Sequence, residues 1–307
     1  MATAYRNAFA NGNRAGPAPK AGPLLTFLLC LLTAFAAPAA QRFEAGLLWR
    51  VEREGSQPSY VFGTMHSDHP NVVDLAPPVQ RAFDQAGALI LEVTLDSESL
   101  ASLSTALLMR DGRSLEALVG QEVFGRAVAA MAGHGVPEVL VARMKPWAVA
   151  VTLMTPPARS GLVLDHVLYR KAVADGKPVE GLETPAEQVA LFDSLTLQEQ
   201  VVLLRDTLNH LPDIERMLIE LREAWLQRDL AQLARINEIS LRDTDPDIAA
   251  AFNQRIIIDR NHRMAERLEA PLREGNRFIA VGALHLPGSQ GLLQLLSERG
   301  YRITRSY

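Results

Sequence analysis

Cysteine is nearly absent: the only one in 307 residues is Cys30, and it lies inside an apolar leader. Once that leader is removed, what remains has no disulfide, no thiol nucleophile and no cysteine-ligated metal. Aromatic residues make up 6% of the chain and are scattered, so no platform for stacking bases is suggested. A dominant charge sign is missing too. The net charge is −4 with no basic stripe or acidic tail, which argues against nucleic-acid binding. No Gly-x-Ser-x-Gly elbow, phosphate-cradling loop, dinucleotide fingerprint or His-Glu-x-x-His helix occurs, and the corresponding enzyme classes lose support. There is no internal repeat, and no low-complexity segment beyond the leader.

What is present begins with that leader. Arg6, Arg14 and Lys20 give it a positive start, Leu24 to Leu32 an apolar core, and Ala37-Pro38-Ala39-Ala40 a small-residue end. This is the layout of a signal peptide over residues 1–40, and its core is too short for a comfortable membrane span. Export to the periplasm or medium is therefore expected, and an uncleaved leader would instead anchor the chain to a membrane. Without disulfides, the exported part must be held by core packing, which roughly 265 residues can supply.

Residues 41–307 read as one α/β domain. Gly46–Val51 and Tyr60–Phe62 flank a Gly-Ser-Gln-Pro turn and predict a hairpin. Pro77-Pro78 starts a helix, and Ala88–Leu95 is a nearly continuous apolar run, as in a strand covered on both faces. From about 97 to 260 the pattern is mainly helical, broken by a short strand around 177–183. Thr184 with Pro185 and Glu187 forms a capping box, and Thr196 with Glu199 repeats it. Ile214–Ile239 reads as a solvent-facing amphipathic segment, and Asp245-Pro246 opens a long helix carrying Arg260 and Asn261. Strand Phe278–Val281, a helix over about 289–298 and strand Tyr301–Thr304 close the chain. The expected architecture is a central sheet built from both ends of the chain, with a large helical insertion over about 97–260.

The strongest motif is a repeated device. Gly63-Thr64-Met65-His66 follows the run Ser59–Phe62, and Gly282-Ala283-Leu284-His285 follows Arg277–Val281. With 20 Gly and 7 His in the chain, chance supplies roughly half a Gly-x-x-His, so two copies after strand-like runs carry more weight than one. Each histidine would be presented at a sheet edge, where α/β proteins place their chemistry. Glu92 lies in an apolar run, where an unpaired carboxylate costs several kcal/mol. Two imidazoles and one carboxylate are a familiar hydrolytic metal set, so His66, His285 and Glu92 are candidate metal ligands. The bland readings stand beside this one: loop histidines bonded to backbone, Glu92 at a strand end, Glu183 supporting a helix cap, Arg260 and Asn261 on a solvated face. His69 reads as part of a polar loop, and His134, His166, His210 and His262 have no partner pattern.

Val61–His66, Leu91-Glu92-Val93, Gly181-Leu182-Glu183-Thr184 with Glu187-Gln188, Arg260-Asn261 with Met264, and Val281–Gly288 together closely resemble the TraB/GumN family, in order along the domain. That family is related to the Tiki proteins, membrane-tethered metal-dependent proteases with paired Gly-x-x-His motifs and an acidic residue. It is more distantly similar to erythromycin esterases. The resemblance implies His66 and His285 as metal or catalytic residues, Glu92 as ligand or general base, and Arg260 as an active-site cation, with Asn261 and Glu183 beside them. It also implies a divalent metal ion (manganese, cobalt or zinc) and a peptide or small-molecule substrate. The expected function is an exported metal-dependent hydrolase of peptidase type. Its rivals are a non-catalytic metal- or ligand-binding envelope protein, an interaction module docking through its helical middle, and an esterase on the same site.

Overall fold

Six strands form one mixed sheet in a computed structural model, which describes residues 43–157, 162–240 and 246–307, without the side chains of 246–249. The leader with Cys30, and Asp245, lie outside the described residues. The strands are β1 (Leu48–Glu52), β2 (Ser59–Thr64), β3 (Ala88–Leu91), β4 (Val179–Gly181), β5 (Arg277–Gly282) and β6 (Arg302–Arg305). Their order is β4-β3-β5-β2-β1-β6. Neighbours from β4 to β2 run parallel, and β1 is antiparallel to both β2 and β6. The chain is thus α/β, with strands from both ends meeting in one sheet and β4 alone arising from the helical middle.

The centre of the sheet is apolar and buried, while the edge strands β4 and β6 are largely exposed. Every residue of β3 is buried, and Phe278, Ile279, Ala280 and Val281 of β5 are all 0% exposed, as expected of parallel strands packed on both faces. Phe62, Phe83 and Phe278 pack as a chain of rings, 5.9 Å and 5.3 Å between centroids, and tie the helix Pro77–Gln85 to β2 and β5. A second cluster lies in the helical middle, where Leu115, Ala127, Met131, Val141, Trp147 and Leu204 interlock.

Ile214–Ile239 departs from the sequence reading. It is two helices, Leu211–Leu226 and Leu230–Ser240, broken at Arg228, whose φ of 61° is left-handed. Its apolar side is covered: Trp225, Leu230, Leu233 and Ile236 are buried in the sheet core, and Trp225 Nε1 donates to the Gly63 carbonyl at 3.0 Å. The break lets the second helix turn back onto the sheet, so apolar residues that an unbroken helix would carry away are buried.

Candidate functional site at the carboxyl edge of the sheet

Register places the candidate residues together before any side chain is considered. Thr64 is level with Gly282, and Leu91 is level with both Ala280 and Gly181. His66, Glu92, Glu183 and His285 each lie within three residues of those strand ends, at the edge where open α/β sheets bind ligands. Glycine makes the approach close enough. A Cβ on Gly63 would stand 2.8 Å from Leu286 Cδ1 and 3.1 Å from Ala283 Cα, and one on Gly282 would stand 3.2 Å from Glu92 Oε1.

Arg260 is the hub. It follows a π-helical stretch, Gln254–Ile258, and opens the helix Asp259–Arg267; such wide turns concentrate at functional sites. Arg260 is 7% exposed and Glu183 4%. Nε donates to Glu183 (3.0 and 3.1 Å), and Nη2 donates to Glu183 Oε2 at 2.6 Å and Glu92 Oε2 at 2.5 Å. Nη1 donates to His285 Nε2 at 3.1 Å and to the Ile256 carbonyl at 3.4 Å. A guanidinium has five N–H groups, and every one of these is directed to a protein acceptor. Arg263 adds a second cation, 2.8 Å from Glu183.

The protonation states follow from the network. Asn261 Nδ2 donates to the Gln290 carbonyl at 2.7 Å, so its Oδ1 is the acceptor for His285 Nδ1, also at 2.7 Å. His285 therefore carries its proton on Nδ1 and turns the Nε2 lone pair toward Arg260 and Glu92. Burial, opposed by Glu92 and seconded by Arg260, pushes the His285 pKa down to about 4, and the ring is neutral near pH 7. Burial acts to raise the Glu92 pKa, but His285, Arg260 and a 2.6 Å bond from the Gly282 amide outweigh it and leave about 2. Glu183 is held below its usual value as well, because its Arg260 and Arg263 contacts overcome its desolvation.

His66 is a different kind of residue. Its side chain is exposed, and among the described residues its ring makes no hydrogen bond. The protein packed around it still lowers its pKa, first by desolvation and then through His166, while Glu92 pulls the other way. Sequence reading set His166 aside and passed over Asp165. Both begin the helix Leu164–Ala174, which is pinned to the His66 turn: Leu164 N donates to the Ser67 carbonyl at 3.2 Å, and Thr64 Oγ1 donates to Asp165 Oδ1 at 3.0 Å. Desolvation, with repulsion from Glu92, raises the Asp165 pKa to about 7. Nothing local marks these two residues, since an acid in a first helical turn is ordinary. His69 caps the helix Pro70–Val73 through its Nδ1.

The whole sheet and this edge fall within residues 47–305, which match the TraB/PrgY/gumN family. The chain belongs to that family. It is 25% identical to Metalloprotease TIKI2 of Danio rerio, covering 87% of this chain and 62% of that protein. It is 24% identical to Metalloprotease TIKI1 of Danio rerio, over 83% of this chain and 62% of the relative. It is 26% identical to YbaP of Shigella flexneri, described as an uncharacterised protein, over 79% of this chain and 89% of the relative. This chain thus spans about 62% of the length of the Tiki proteins it matches. No solved structure matches it.

For a TraB/PrgY/gumN chain with relatives named metalloproteases, the donor set bears directly on a metal. Among the described residues, no group of three or more His, Cys, Asp or Glu is placed to hold one. His285 Nε2 stands 3.8 Å from Glu92 Oε1, but Arg260 occupies the lone pair of one and an oxygen of the other, and Gly282 N holds the second oxygen. As arranged, His285 and Glu92 do not fit a divalent ion.

Proposed function

We propose that the chain is an exported hydrolase of peptidase type, working at the carboxyl edge of the sheet with His66 as its proton acceptor. One observation carries this: His66 is an exposed imidazole without a hydrogen bond among the described residues, within electrostatic reach of the ionised carboxylate Glu92, on a turn pinned to the helix that carries Asp165, a carboxylic acid of raised pKa. Environments that push neighbouring titratable groups apart are how one site supplies both base and acid. Similarity to proteins named metalloproteases supports the peptide bond as target, and the leader pattern supports export.

In this reading water attacks the substrate carbonyl carbon while His66 takes its proton. Ionised Glu92 stabilises the imidazolium that forms. The carbon–nitrogen bond breaks, and Asp165 gives its proton to the leaving nitrogen. Transfer of a proton from His66 to Asp165 restores both. Arg260, Glu183, Asn261 and His285 hold Glu92 in place; with every N–H of Arg260 spent inside the protein, it is a positioning residue here. The substrate of this site is a peptide, and no nucleic acid enters the reading.

The test is incubation of the full-length protein with a mixed peptide library and an ester panel, with and without added manganese, cobalt or zinc, and products read by mass spectrometry. New peptide termini are expected, and His66→Ala should form them about 100-fold more slowly with an unchanged circular dichroism spectrum. Absence of any cleavage, or equal rates in the folded variant, overturns the reading.

A further inference from the structure

We infer that Arg260 is the resident cation of this site and fills the position a divalent ion would take between His285 and Glu92. Three observations carry it. First, the contacts are those a metal would make: Nη1 sits 3.1 Å from the Nε2 lone pair of His285, and Nη2 sits 2.5 Å from Glu92 Oε2. Second, the charges already balance. The part-buried Glu92 and the buried Glu183 carboxylates face the guanidiniums of Arg260 and Arg263, so a dication between His285 and Glu92 would meet carboxylates whose charge is already neutralised, and desolvated charge is costly. Third, the hub is anchored from outside the site. The Ile256 carbonyl accepts from Nη1, and Arg267 links the same helix to Glu187 at 2.6 Å and to the Leu182 carbonyl at 2.6 Å. The guanidinium is therefore a built part of the fold.

This reading separates the chain from the chemistry in its relatives' names. The positive charge that orients Glu92 comes from a side chain with a fixed planar donor pattern and is not lost to a chelator. It concerns occupancy alone, so it stands or falls independently of whether the protein hydrolyses peptides.

The deciding experiment is metal content. Full-length protein is stripped with a chelator, dialysed against manganese, cobalt or zinc, and measured by elemental analysis beside His285→Ala and Glu92→Gln. The expected result is less than about 0.1 ion per chain attributable to this site, that is, the same residual metal in all three proteins. One ion per chain in the wild type, lost in both variants, overturns the inference. Arg260→Met gives a second arm, since it removes the guanidinium and leaves two carboxylates and a neutral imidazole facing one space. It should take up one cobalt per chain, visible in the d–d absorption bands. A folded Arg260→Met chain that binds no cobalt also overturns the inference. If that variant does not fold, the wild-type comparison still decides.

Discussion

Asp165 and His285 make opposite demands on pH, and each can be read against the other. Asp165 ionises near 3.8 when unfolded, whereas burial and Glu92 raise its folded value to about 7. The folded state is therefore favoured at low pH and loses that contribution as pH rises from about 4 to 7. His285, from 6.5 to about 4, and Glu92, from 4.5 to about 2, are depressed; they favour the folded state at neutral pH and lose that contribution on acidification. In the wild type these slopes oppose each other. In Asp165→Asn, urea unfolding should show stability falling by about 3–4 kcal/mol between pH 7 and pH 4, and the variant should gain about 4 kcal/mol on the wild type between pH 4 and pH 8. A wild-type-minus-variant difference independent of pH would refute the assignment. At this scale the sequence names most of the cluster: His66, Glu92, Glu183, Arg260, Asn261 and His285 are legible from motif and resemblance. Asp165 is not, because its partner Thr64 is 101 positions away.

Elements deliver those residues, and two are delivered by close approach. β2 and the turn Ala283–His285 meet at Gly63, where a methyl group would have to displace Leu286. Gly63→Ala should cost about 1–3 kcal/mol in thermal unfolding and broaden the His66 and His285 ring signals together in NMR; a shift confined to His66 would show that the two turns are independent. Thr184 closes a complete capping box with Glu187 at the start of the helix Pro185–Asp193. Thr184→Ala should cost about 1 kcal/mol, and a variant as stable as wild type would remove the cap from the account. Both hairpin strands, both capping boxes and the covered strand β3 were readable, since period, turn residues and caps are local. The π-helical stretch before Arg260 and the break at Arg228 were not, because a local pattern of apolar residues is compatible with an unbroken α-helix; at Arg228 it is packing of Trp225, Leu230 and Leu233 into the sheet core that selects the departure.

At the scale of the molecule, the described residues form two apolar clusters, one around the sheet and one in the helical middle. Met131, 0% exposed, belongs to the second. Met131→Ala should cost about 2–4 kcal/mol and raise hydrogen exchange first in residues 107–153 and 189–211, with β2, β3 and β5 still protected. Simultaneous loss of protection in both would mean one cooperative core. Among the described residues no helix is long and apolar enough to cross a membrane. The sequence by itself determined the α/β class, the strands at both ends and the residues with chemistry to offer, because apolar period, capping residues and Gly-x-x-His placement are properties of neighbours in the chain. Only the tertiary structure decided what those residues do to one another. It brought Arg260 between Glu92, Glu183 and His285, set the tautomer of His285 through Asn261, and pinned the turn that carries exposed His66 to the helix that carries Asp165. Those are contacts across tens to hundreds of positions, and a charge's partner depends on distance in space, which no spacing along the chain contains.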